Sequence, residues 1–135
     1  MNKHVPRLAG LWVGLMLLVS TNSYAVGAEN SHGCNDWAKR ATQLYKEQQY
    51  QQAIALTKQA IRREPETWLP HALLSFFCWQ DSNASEAITE GKIAARLAPH
   101  NALVLMKLGH MLVLSGATED AARIFDKAKN LNPTD

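Results

Sequence analysis

The chain has 135 residues, 14 of them Lys or Arg and 12 Asp or Glu, with two cysteines, a length that suits one domain. Lys3 and Arg7 stand within the first seven residues, and the remainder of the chain balances 12 basic against 12 acidic side chains. That balance excludes the basic footprint of a nucleic-acid binder.

Met1 to Arg7 is a basic opening, Leu8 to Val19 an apolar run of twelve, and Ser20 to Tyr24 a polar stretch. Ser23 and Ala25 then supply the small residues that a signal peptidase requires. Twelve apolar residues fall short of the ~20 needed to span a bilayer. Residues 1–25 therefore read as a signal peptide, cleaved after Ala25 or after Ala28, with a retained anchor as the alternative. The protein is expected to be exported by a bacterium, to the periplasm or beyond. Residues 26–33 read as a flexible leader.

A period of 34 residues organises the rest of the chain: Pro65, Pro99 and Pro133; Ala53, Ala87 and Ala121; Ala60, Ala94 and Ala128. A fourth small position, Ala41, Ser75 and Gly109, keeps the same step. The units are residues 34–67, 68–101 and 102–135, each reading as two helices. In unit one, Trp37 precedes Ala41, and Tyr50 stands three residues before Ala53. In unit two, Pro70 is tolerated in a first turn, and Asn83 with Glu86 makes a capping-box start. In unit three, Asn101 caps a helix over 102–114, Ser115-Gly116 breaks it, and Thr118 caps a second helix with Glu119 and Asp120 in its first turn. Alanines recurring in register let paired helices approach closely.

This register resembles the tetratricopeptide repeat (TPR) family over residues 34–135. Trp37 with Ala41, Leu108-Gly109, and Ala121 with Phe125 match the family pattern. Unit two departs from it: His71 stands where the aromatic belongs, and Gly91 where the phenylalanine belongs. Glycine inside a helix costs about 1 kcal/mol relative to alanine, so this helix is expected to be bent or unusually close to a neighbour. The resemblance implies an all-α fold, a right-handed α-solenoid of three helix-turn-helix repeats. It also implies that the first helices line a concave groove and the second helices form the convex back.

On unit two, helical periodicity separates two stripes. His71, Leu74, Ser75 and Cys78 form the one that packs between units. Leu69, Ala72, Phe76 and Trp79 form the one that the resemblance assigns to the groove, together with Ala38, Thr42 and Tyr45 of unit one and Leu103, Met106, His110 and Val113 of unit three. None of these eleven is charged. A contiguous apolar groove of this kind marks a binding surface, and the partner it implies is an apolar peptide or helix of another protein. Self-association into a homo-oligomeric scaffold is the alternative occupant, and cover by residues 26–33 a third. The family's carboxylate clamp grips a chain terminus with Lys, Asn and Arg. Its positions here hold Ala38, Thr42, Leu73, Leu103 and Lys107, of which Lys107 alone has the required chemistry.

Cys34 opens the first helix of unit one, whereas Cys78 lies near the far end of the parallel helix in unit two. Ten positions of offset place them roughly 15 Å apart along the axis, beyond the reach of a disulfide unless the N-terminus unwinds, and leave Cys34 as an exposed thiol open to an intermolecular bond. Cys78 is expected to be a buried small hydrophobe. His32 and Cys34 lack a second ligand pair for a metal. The sequence carries no nucleophile motif, phosphate loop or paired-carboxylate cleft. The expectation is a protein-binding module, without a cofactor and not an enzyme.

Overall fold

The computed structural model describes residues 34–131 and, within the first helix, side chains from Asp36 onward. The signal and leader expected over 1–33, and Pro133, lie outside the described residues. The described chain forms α1 (Cys34–Lys46), α2 (Tyr50–Arg63), α3 (Trp68–Gln80), α4 (Ala84–Leu97), α5 (Ala102–Leu114) and α6 (Thr118–Leu131). The helices pair as α1·α2, α3·α4 and α5·α6, and the pairs join through α2·α3 and α4·α5. This is an all-α stack of helix-turn-helix units in sequence order. Among the described residues, no helix is long and apolar enough to cross a membrane.

The helix starts obey local chemistry. Asn83 Oδ1 accepts the Glu86 backbone N–H at 3.2 Å, and Asn101 Oδ1 accepts that of Val104 at 3.2 Å. Both occupy donors that a first turn leaves unpaired. Thr118 behaves otherwise than expected: α6 begins at Thr118 itself, so Ala117 takes the cap position and its carbonyl accepts the Ala121 N–H at 3.0 Å.

The turn inside each unit repeats in detail. Gln48, Ser82 and Gly116 all have positive φ, at 62°, 64° and 87°. The next residue in each case sends its N–H five positions back: Gln49 to Leu44, Asn83 to Cys78 and Ala117 to Leu112, at 2.8–2.9 Å. A second bond runs from each left-handed residue to the carbonyl three before it. These are Schellman closures. The left-handed residue suits glycine, and unit three alone supplies one.

The core runs along the stack in two connected clusters, one around α1–α3 and one around α5 and its neighbours. The repeated alanines Ala53, Ala60, Ala87, Ala94, Ala121 and Ala128 are all buried. In unit three, the Phe125 ring lies on Gly109 so closely that a Cβ there would stand 2.6 Å from Cε1. In unit two, Gly91 brings α4 close to its neighbours: a Cβ would stand 3.1 Å from Ser75 Oγ and 3.2 Å from Leu108 Cδ1. The missing aromatic is compensated from the next unit. Met111 of α5 reaches in, with its Sδ 3.4 Å from Ser75 Oγ. A cavity of ≈ 20 Å³ remains between Ser75, Gly91, Lys107 and Met111, about the space of one water.

His71, the other departure in unit two, is also compensated. It is buried, and its Nε2 lies 2.9 Å from the Pro65 carbonyl while Nδ1 lies 2.6 Å from Glu90 Oε2. A carbonyl only accepts, so Nε2 carries a proton and donates it. Nδ1 then shares a proton with the carboxylate in a short, charge-assisted contact. One ring thereby ties the end of unit one to both helices of unit two.

Candidate functional site

The row of first helices, α1, α3 and α5, is where the sequence places a binding face. The inter-unit stripe of α3 is buried throughout: His71, Leu74, Ser75 and Cys78. Its second stripe, expected to face solvent, is largely buried too. Nine consecutive residues, Pro70 to Cys78, are buried. A helix that is apolar all round belongs inside, and α3 has neighbours on both sides.

The eleven candidate residues divide by unit. Ala38, Thr42, Ala72 and Phe76 are buried, whereas Tyr45, Leu69, Trp79 and Leu103 are half-buried. Met106, His110 and Val113 are exposed. The expectation of one open groove across all three units is therefore corrected. Phe76 is 1 % exposed, because the Tyr45 ring packs on it with centroids 4.9 Å apart and the Phe77 ring stands 5.5 Å away. Tyr45 also stacks on Phe77 at 5.6 Å. Unit one thus fills from within the place where a ligand was expected at Phe76.

The open part lies on α5. Met106 and Val113 are each 45 % exposed and Leu114, which the periodicity does not single out, is 56 % exposed. These are the large hydrophobics exposed among the described residues. The signal that could have found Leu114 is its place beside Val113, one step around the same helix. His110, between Met106 and Val113, sets its ring edge-on to Phe125 at 5.4 Å, which fixes it against α6.

Polar groups along this row are few. Lys107 lines the cavity against α3, and its burial holds its pKa below the ordinary lysine value. At the other clamp positions Ala38, Thr42 and Leu73 are buried and Leu103 is half-buried. Thr42 Oγ1 and Gln80 Nε2 are buried without hydrogen-bond partners, an arrangement that costs about 1–3 kcal/mol for each group. Cys78 is a free, buried thiol, pushed up to about 12 first by burial and then by the nearby Glu86 carboxylate. Among the described residues, no cluster of His, Cys, Asp and Glu could hold a metal ion.

No protein-family model and no curated protein matches the chain. Solved structures do. The second TPR domain of Spaghetti (RPAP3), bound to the HSP90 peptide SRMEEVD, superposes with a TM-score of 0.65 at 19 % identity, covering 71 % of this chain and 89 % of that one. The first TPR domain of the same protein, bound to the same peptide, gives 0.67 at 13 % identity over 73 % and 79 %. MamA from Desulfovibrio magneticus RS-1 gives 0.69 at 21 % identity, covering 94 % of this chain and 71 % of that one. The fold of this chain is accordingly that of a tetratricopeptide repeat domain, as the 34-residue register implies.

Proposed function

We propose that this chain is an exported protein-binding adaptor that holds an apolar segment of another protein against its row of first helices. The observation that carries this reading is the uncharged face of α5, where Met106, Val113 and Leu114 are open to solvent. Burying side chains of this size is worth about 1.5–3 kcal/mol each, so a few anchors outweigh moderate ordering costs. Two of the similar folds hold a peptide of a partner protein, which supports the class of role. Their acidic peptide does not transfer, because Lys107 alone among the clamp positions here has the Lys, Asn or Arg chemistry that grips it. An apolar partner is the better match. Export rests on the basic, apolar and small-residue sequence of residues 1–25. A binding role, rather than catalysis, fits a face of hydrophobic side chains with no pair of acid and base.

The test is a photo-crosslinking residue placed at Met106 in living cells. Phe76, the position that the periodicity favours, is a poor site because it is enclosed. A covalent adduct with a different protein, found in the periplasmic fraction, is the expected result. Adducts confined to the cytoplasm would overturn export, and the absence of any adduct beside a working control would overturn docking.

A further inference from the structure

The candidate face is open in one unit and closed in two, and the repeat register shows why. Ala38, Ala72 and Met106 are equivalent, and their exposures are 0 %, 8 % and 45 %. Phe76 is buried while its counterpart His110 is exposed. Within the stack, each first helix is covered by the first helix of the next unit. Phe77 of α3 stacks on Tyr45 of α1, and Lys107 and Met111 of α5 line the cavity against Ala72 and Ser75 of α3. Among the described residues no further first helix packs on α5, and Met106, Val113 and Leu114 are exposed on it.

We propose that a second copy of this chain closes it, tail to tail, with α5 of each copy packed on α5 of the other. This rests on reading the α5 face as a docking surface, and it names the occupant.

Charge disfavours the head-to-tail alternative, which would set the leading face of α1 on α5. The residues that do the covering in α3 and α5, Leu73 with Phe77 and Lys107 with Met111, correspond in α1 to Lys39 and Gln43, and Asp36 shares that face by register. All three are exposed and polar. Pressing Asp36 and Lys39 onto Met106 and Val113 would strip water from two charges against a row that offers neither a partner. Symmetry favours the tail-to-tail contact. A two-fold axis brings each patch against itself, so a charged patch repels its copy and a neutral one does not. The α5 row is neutral, and its one cation, Lys107, lines the cavity on the α3 side.

Size sets the strength. A helix of 13 residues is about 20 Å long, so two of them bury less than a standard interface and the contact falls in the weak, transient class. A partner protein on the same row excludes the second copy, so the dimer is the closed form of the site.

Sedimentation equilibrium of the purified full chain, over a range from low to high micromolar, tests this. The expected result is a monomer–dimer equilibrium that Met106→Glu or Leu114→Glu weakens at least about tenfold, with unchanged helix content because both side chains are exposed. Lys39→Glu should leave it intact. A strictly monomeric wild-type chain overturns the pairing, as does a dimer indifferent to both α5 variants or one lost in Lys39→Glu. If the chain is monomeric and Met106 still captures a different protein in cells, the docking reading stands and the dimer alone falls.

Discussion

Helices α3 and α5 hold the same place in consecutive repeats, have 13 residues each and are apolar on almost every side. In α3 that composition ends in burial from Pro70 to Cys78. In α5 it leaves Met106, Val113 and Leu114 in water. The two helices differ less in their own residues than in the neighbour that each is given. The exposure of a repeat residue is therefore a property of its position in the stack, and a hydrophobic row becomes a docking candidate only where the stack stops covering it.

Truncation should separate the two helices most sharply. Phe77→Ala, in the middle of the aromatic cluster, is expected to cost about 3–5 kcal/mol in denaturant unfolding. Met106→Ala on α5 should stay within about 0.5 kcal/mol. Comparable losses would mean that the α5 row is covered in solution.

The equivalent positions His71 and Leu105 give the next contrast. His71→Ala leaves Glu90 without its partner at a nearly enclosed site, and a loss of about 3 kcal/mol is expected. His71→Leu, the residue that unit three has at Leu105, combined with Glu90→Gln to remove the unpaired charge, should recover most of it. If the double variant is no better than His71→Ala, the bond from His71 to Pro65 O carries the stability instead.

The turns after the two helices give a smaller effect of opposite sign. Ser82→Gly relieves a left-handed non-glycine residue and should raise stability by about 0.5–1 kcal/mol, whereas Gly116→Ser should lower it by a similar amount. Thermal melts of the pair would check both.

The smallest effect is a pH dependence where α5 meets α3. Burial lowers the Lys107 pKa, so the unfolded chain binds its proton more tightly than the folded one. Stability from this group is then missing at neutral pH and recovered as pH rises from the folded value to the ordinary lysine value. Lys107→Met should accordingly stabilise the protein near pH 7, with an advantage that shrinks toward alkaline pH. A constant difference would assign the effect to packing.

Much of the fold is legible in the sequence, because the alanine and proline register and the caps at Asn83 and Asn101 are local signals or fixed intervals. The close approach at Gly91 and the fit of Phe125 on Gly109 stem from residue size. The site is less legible. Periodicity identifies the row from Ala38 to Val113, but it cannot say that Tyr45 reaches over to Phe76. That contact depends on how far one helix lies from the next. The left-handed Gln48 and Ser82 are hidden for a different reason: neither residue type advertises that conformation, and only their alignment with Gly116 gives it away. His71 reads as a missing aromatic because its partners, Pro65 and Glu90, lie six and nineteen positions away.

The insertion of Met111 beside Gly91 has a consequence for how the array comes apart. In an idealised solenoid, each repeat is a module whose stability adds to that of its neighbours. Here unit two has no aromatic plug of its own and borrows the Met111 side chain of unit three instead, so deleting or melting unit three would leave a hole inside unit two. Fraying from that end should therefore propagate rather than stop at a repeat boundary, and amide protons of α3 and α5 should exchange together, as one cooperative block.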